Sequence, residues 1–136
     1  MEKYVGIWID HEKAFIVRKY FDSADTICVK SKVEGSFRLS GGTRSSTPYG
    51  PQDVASEKKV ERRRLHHLRQ YYQEIIKIIH SAESIFIFGP GEAKLELEKE
   101  MRKTKELVSR IAGVETTDKM TERQIVEKAR KFYESL

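Results

Sequence analysis

The stretch Ser84–Lys94, SIFIFGPGEAK, decides the fold. Ile85 to Phe88 are apolar without a polar interruption, as in a strand covered on both faces, and the run stops at once on Gly89-Pro90-Gly91. A helical pattern opens directly behind it. A short buried strand that feeds a helix belongs to an α/β layer structure rather than to a meander of exposed strands.

Working outward, KYVGIWID (Lys3–Asp10) and KAFIVRKYF (Lys13–Phe21) are rich in β-branched and aromatic residues and are joined by a polar turn at His11 and Glu12, so a hairpin is expected. TICVKSKV (Thr26–Val33) alternates Ile27, Val29 and Ser31 against polar neighbours, the pattern of a third strand with one wet face. Asp53 is placed to cap a helix whose apolar positions Leu65, Leu68, Tyr72, Ile75 and Ile79 recur at three- and four-residue spacing. From Val54 to about His80 such a helix spans about 40 Å, more than a small sheet needs, so its first turns are expected to project past the core. Beyond the central strand, Lys94 to about Arg110 offers Leu95, Leu97, Met101, Leu107 and Val108 for an inner face. GVETTD (Gly113–Asp118) reads as a last short strand. TERQ (Thr121–Gln124) is a capping box that starts a final helix with Ile125, Ala129 and Phe132 inward. The order β-β-β-α-β-α-β-α is that of ribonuclease H-like domains, so the expected class is α/β with a mixed sheet. Residues 1–136 read as one domain without repeats or linker, with a flexible glycine loop at 35–52.

Composition narrows the function. At 38% hydrophobic and 35% charged residues, the chain has no apolar run near the roughly 18 residues of a membrane span. The start, MEKYVGIWID, enters a strand without an export signal, so a cytoplasmic protein is expected. The single cysteine, Cys28, falls inside an alternating strand and is expected to be a small buried hydrophobe rather than a nucleophile. Charge is uneven. Between Arg38 and Arg69, eight Lys or Arg face three acids (Asp53, Glu57 and Glu61), a surplus equal to the formal +5 of the whole chain.

Hydrolytic and metal chemistry find little support in the residue pattern. Asp10 ends the first strand, where ribonuclease H enzymes hold metal, but two-metal hydrolysis needs several convergent carboxylates, and Glu12, Asp22, Asp25 and Asp118 lie in turns. His66 and His67 are adjacent and point about 100° apart on a helix, so they cannot chelate one ion. No metal and no cofactor is expected. Gly89-Pro90-Gly91 lacks a nucleotide-binding fingerprint and reads as a strand-to-helix turn with strict backbone needs.

The remaining candidate is RLSGGTRSSTPYGPQD (Arg38–Asp53) together with the helix behind it. Gly41 and Gly42 carry no side chain to hinder approach to a partner, and Arg38 and Arg44, with the serines and threonine around them, offer phosphate donors. Lys58 and Arg62 share one helical face, and Lys59, Arg63 and His66 share the next, so the basic surface continues along the helix. The expected RNA-binding residues are Arg38, Arg44, Lys58, Lys59, Arg62 and Arg63.

A GG loop, a long basic helix, a hydrophobic strand ending in a glycine turn and a helix start of the form E-x-K-x-E-L (Glu92–Leu97) resemble the middle domain of the archaeal and eukaryotic class I peptide chain release factors and of pelota. SGGTRSSTPYGPQD, FGPGEAK and VETTDKMT are similar, across nearly the whole chain, to small bacterial and archaeal release-factor-like proteins of the translational machinery. The resemblance implies a ribonuclease H-like fold and association with the ribosome or tRNA. In those release factors a Gly-Gly-Gln loop promotes hydrolysis of peptidyl-tRNA; the matching positions here are Gly41, Gly42 and Thr43, so the glutamine is replaced, and Gln52 lies nine residues further on. Stop-codon reading is not expected. Two functions follow from the resemblance and the charge together: a non-catalytic ribosome- or tRNA-associated RNA-binding protein, or a codon-independent peptidyl-tRNA hydrolase that rescues ribosomes, with Gly41, Gly42, Thr43 and Gln52 as its candidate catalytic residues. A third, blander expectation is an oligomer whose charged helices pair with one another.

Overall fold

The computed structural model describes residues 3–20, 23–31 and 50–135, with the backbone alone described over 50–56. Strands β1 (Tyr4–Ile9), β2 (Lys13–Lys19) and β3 (Ala24–Lys30) precede helix α1 (Gly50–Ile79). Strand β4 (Ser84–Gly89), helices α2 (Ala93–Met101) and α3 (Lys105–Val108), strand β5 (Ile111–Thr116) and helix α4 (Glu122–Glu134) follow. Among the described residues the expected element order holds, with one added short helix.

The five strands form one mixed sheet in the order β3-β2-β1-β4-β5. β1 pairs antiparallel with β2, as does β2 with β3, whereas β1–β4 and β4–β5 are parallel. Chain-adjacent antiparallel strands need only turns, and the Asp10 carboxylate supplies one by accepting from the backbone N–H groups of Glu12 and Lys13, both at 2.8 Å. Parallel neighbours need crossovers, which α1 and the α2–α3 pair provide.

The alternation of strand side chains divides the core into two layers. Val5, Ile7, Ile9, Ile16, Ile85 and Ile87 meet Leu68, Tyr71, Tyr72, Ile75, Ile79, Leu97, Met101 and Leu107 on the α1–α3 face. Trp8, Val17, Phe86 and Phe88 meet Ile125 and Ala129 of α4 on the other. SIFIFG is uninterrupted in sequence because β4 sits in this sandwich with Ile85 to Gly89 all buried. Helix α4 begins on the expected capping box: Thr121 Oγ1 accepts from the Gln124 N–H at 3.2 Å, and Gln124 Oε1 accepts from the Thr121 N–H at 2.9 Å. It lies so close to β1 that a Cβ on Gly6 would stand 2.6 Å from the Ala129 Cβ. The Tyr133 hydroxyl lies 2.7 Å from the Val5 carbonyl and 3.0 Å from that of Ser84, fastening the far end of α4 to the starts of β1 and β4.

Several expectations are corrected. Helix α1 spans Gly50–Ile79, so Asp53 lies within it rather than ahead of it, and positions 50–52 of the expected loop are helical. Leu65 is 50% exposed because burial along α1 starts only at Leu68, where the sheet comes up beneath the helix. The segment after Lys94 breaks in two at Thr104, whose extended backbone separates α2 from α3. The inner stripe of α2 is therefore Ala93, Leu97 and Met101 at four-residue spacing, and Leu95 and Val108 face solvent. Strand β3 starts at Ala24 and strand β5 at Ile111, each two residues earlier than expected. Cys28 is exposed: it stands opposite Phe15, on the face that α4 covers, but at the sheet edge beyond the reach of that helix.

Candidate nucleic-acid interface

Of the expected binding and catalytic positions, Arg38, Gly41, Gly42, Thr43 and Arg44 lie outside the described residues, and Gln52 is placed only as backbone in the first turn of α1. Lys58, Lys59, Arg62 and Arg63 are described, and all four are exposed. They lie on the half of α1 that projects beyond the sheet, since no residue from Glu57 to His67 is buried. Over 30 residues the helix is about 45 Å long, and among the described side chains its buried positions begin at Leu68. Among the described residues no ion pair neutralises any of the four; the ion pair of this segment joins Arg64 to Glu61 at 3.9 Å. Lys58–Arg62 and Lys59–Arg63 are like-charge neighbours one turn apart, an arrangement that weakens a free helix and suits a polyanion.

The same helical face continues C-terminally at four- and three-residue steps, from Lys59 and Arg63 through His66 to Gln70, Gln73 and Lys77. There it meets the end of β3 and encloses an open groove of about 570 Å³, lined from the strand side by Lys30 and Ser31 and from the helix by His66, Arg69, Gln70, Glu74 and Lys77, among others.

Where α1 enters the core, a polar network fixes its position. The Tyr71 hydroxyl donates to the Asp10 carbonyl at 3.0 Å, and the Tyr72 hydroxyl donates to Glu96 Oε1 at 2.5 Å. His11 Nε2 lies 3.0 Å from the same Glu96 oxygen, and Ser31 Oγ donates to the His11 carbonyl at 2.5 Å. Burial, with the Asp10 charge added, holds Tyr71 far above the ordinary tyrosine range; burial and the bond to Glu96 do the same for Tyr72. Both hydroxyls therefore remain donors. The helix is tied at once to the β1–β2 turn and to α2. These residues were not legible in the sequence as one network, because they become neighbours only after the crossover; Tyr72 stood out as a core position, and Asp10 and His11 as the end of β1 and its turn.

Asp10 is engaged in its turn, and among the described residues no group of three or more His, Cys, Asp or Glu side chains is arranged to hold a metal. Gly89-Pro90-Gly91 is built for backbone geometry. Gly89 has φ +148°, a Cβ there would lie 2.2 Å from the Ile9 carbonyl oxygen, and Gly91 has φ +65°. The buried Lys94 amine donates to the Gly91 carbonyl, and the Thr117 N–H donates to that of Gly89 at 3.0 Å.

No protein-family model matches the sequence, and no curated protein matches it. Solved structures do match the fold. The Pelota protein of Thermoplasma acidophilum aligns with a TM-score of 0.57 at 14% identity, covering 100% of this chain and 33% of its own. Archaeoglobus fulgidus Pelota aligns with a TM-score of 0.53 at 13% identity over 98% of this chain and 36% of its own. The archaeal translation termination factor aRF1 aligns with 0.52 at 14% identity over 97% and 39%. The chain thus spans between 33% and 39% of the length of these three proteins, and what it shares with that portion of Pelota and of the archaeal termination factor is the fold: a mixed five-stranded sheet between helices.

Proposed function

We propose that this protein is a ribosome- or tRNA-associated RNA-binding component of the translation machinery, acting as a single domain over residues 1–136 in the cytoplasm. The observation that carries the reading is the projecting half of α1, where Lys58, Lys59, Arg62 and Arg63 are exposed without an ion pair among the described residues. Exposed cations without acidic partners are the electrostatic footprint of a phosphate-binding surface. The fold shared with a protein described as a translation termination factor favours the ribosome over other RNA. In this reading Arg38 and Arg44 add phosphate contacts, and Gly41-Gly42 lets the backbone approach RNA closely.

Sedimentation of purified protein with ribosomes through a sucrose cushion tests it. The protein pellets with ribosomes at low salt and is released as salt rises, since counterion uptake opposes phosphate contacts. Protein that stays in the supernatant at low salt refutes the reading. Release of peptide from stalled ribosome–peptidyl-tRNA complexes, measured on the same preparation, decides whether a hydrolytic step through Gly41, Gly42, Thr43 or Gln52 accompanies binding.

A further inference from the structure

We infer that the groove between α1 and the end of β3 is a binding site for unpaired RNA, holding a nucleotide of a strand whose backbone continues along α1; this rests on the RNA-binding reading above. The groove is walled by positive charge from two separate elements, Lys30 at the end of β3 and Arg69 with Lys77 on α1. Each of the three is exposed, and among the described residues none has an ion pair. Glu74 is the acid lining the groove, so positive charge is in excess there. Its volume, about 570 Å³, is that of a small-molecule site, large enough for a nucleotide and far too small for a duplex.

The chemistry of the lining matches a single strand. His66 presents an exposed imidazole on which a base can stack, and Gln70, one turn further, presents an amide with both donors and an acceptor for a base edge. A duplex hides its base edges in stacked pairs and offers such a groove only phosphates, whereas an unpaired strand places a base inside while its phosphates meet the rim cations. Because His66 and Gln70 continue the face of Lys59 and Arg63, one strand can follow the helix from its projecting end into the groove.

The test uses the full chain with a fluorescein-labelled oligouridylate and an RNA hairpin duplex of equal length, each titrated over a salt series. For the variant Lys30→Gln/Arg69→Gln/Lys77→Gln, the slope of log affinity against log salt for the oligouridylate flattens by about 2, at about 0.7 per lost contact, while the slope for the duplex is unchanged. The variant His66→Ala/Gln70→Ala weakens oligouridylate binding several-fold and leaves the slope alone, because it removes no lysine or arginine. Circular dichroism melts of both variants match the parent, as the altered side chains are all exposed. Oligouridylate slopes equal to the parent's, with ribosome sedimentation intact, overturn the groove site and spare the function proposed above. Equal flattening for oligouridylate and duplex overturns the preference for unpaired RNA. A parent that binds neither RNA and does not pellet with ribosomes removes both.

Discussion

Replacing Lys58, Lys59, Arg62 and Arg63 together by glutamine separates a phosphate-binding face from a merely solvated one. All four side chains are exposed, on a stretch of α1 with no buried residue, so the substitutions remove charge without opening the core. Glutamine is close to lysine and arginine in helix propensity, and the like-charge pairs Lys58–Arg62 and Lys59–Arg63 are relieved, each worth a few tenths of a kcal/mol. Folding stability should therefore hold within about 0.5 kcal/mol or rise slightly. Binding should behave oppositely. At about 0.7 per phosphate contact to a single strand, four lost contacts flatten the slope of log affinity against log salt by about 2.8. Between about 50 and 200 mM salt, the parent's affinity then falls roughly 50-fold further than the variant's. Fluorescence anisotropy with labelled RNA over a salt series, alongside urea unfolding of both proteins, measures the two quantities independently. Parallel salt lines for parent and variant would refute the phosphate-contact reasoning; a loss of several kcal/mol in the unfolding experiment would refute the reading that the exposed side chains of Lys58, Lys59, Arg62 and Arg63 contribute little to folding.

Gly89→Ala combines φ +148° with a Cβ 2.2 Å from the Ile9 carbonyl oxygen, so we expect at least about 3 kcal/mol of destabilisation by urea unfolding, and a cost under about 1 kcal/mol would contradict the turn geometry. Burial pushes the Tyr133 hydroxyl up to about 12, against 10.0 for an ordinary tyrosine. The unfolded chain thus releases this proton first, and the stabilisation, complete below about pH 10, is lost as pH rises to about 12, by roughly 2–3 kcal/mol. Tyr133→Phe should lose part of that alkaline decline, and an unchanged pH profile between the two proteins would count against it. Cys28, exposed at the sheet edge, should react with a thiol reagent in the native protein at a rate close to that of the urea-unfolded chain; protection until unfolding would place it in the core instead.

The sheet was legible where one residue's environment follows from its immediate neighbours. Uninterrupted SIFIF gave a strand covered on both faces, and Thr121 with Gln124 gave the start of α4, because a capping box is closed within four residues. Leu65, Leu95, Val108 and Cys28 were misassigned for a common reason: apolar spacing shows which side of an element is apolar, not how far the opposing layer extends. Charge behaved the other way. Basic residues at Lys58, Lys59, Arg62 and Arg63 could be assigned to an exposed face from sequence, whereas Lys30 joins Arg69 and Lys77 only through the packing of β3 beside α1, thirty-nine residues and more apart along the chain.

If α1 carries the proposed RNA-binding face, its arrangement accounts for a 30-residue helix in a domain this small. An isolated helix rich in like charges is marginal in water, because nucleation is costly and each like-charge pair weakens it. Here the nucleus is supplied by packing. Leu68, Tyr71, Tyr72, Ile75 and Ile79 bury the C-terminal turns, and the hydroxyls of Tyr71 and Tyr72 fix their direction against Asp10 and Glu96. The projecting turns then need only propagate, which adds one hydrogen bond per residue ordered. Their cations stay exposed, and in the proposed function neutralisation by phosphate would remove the repulsion that opposes the helix. In the proposed RNA-binding role the tyrosine network at the base of α1 would serve as a support, because it fixes the angle at which the basic face leaves the domain.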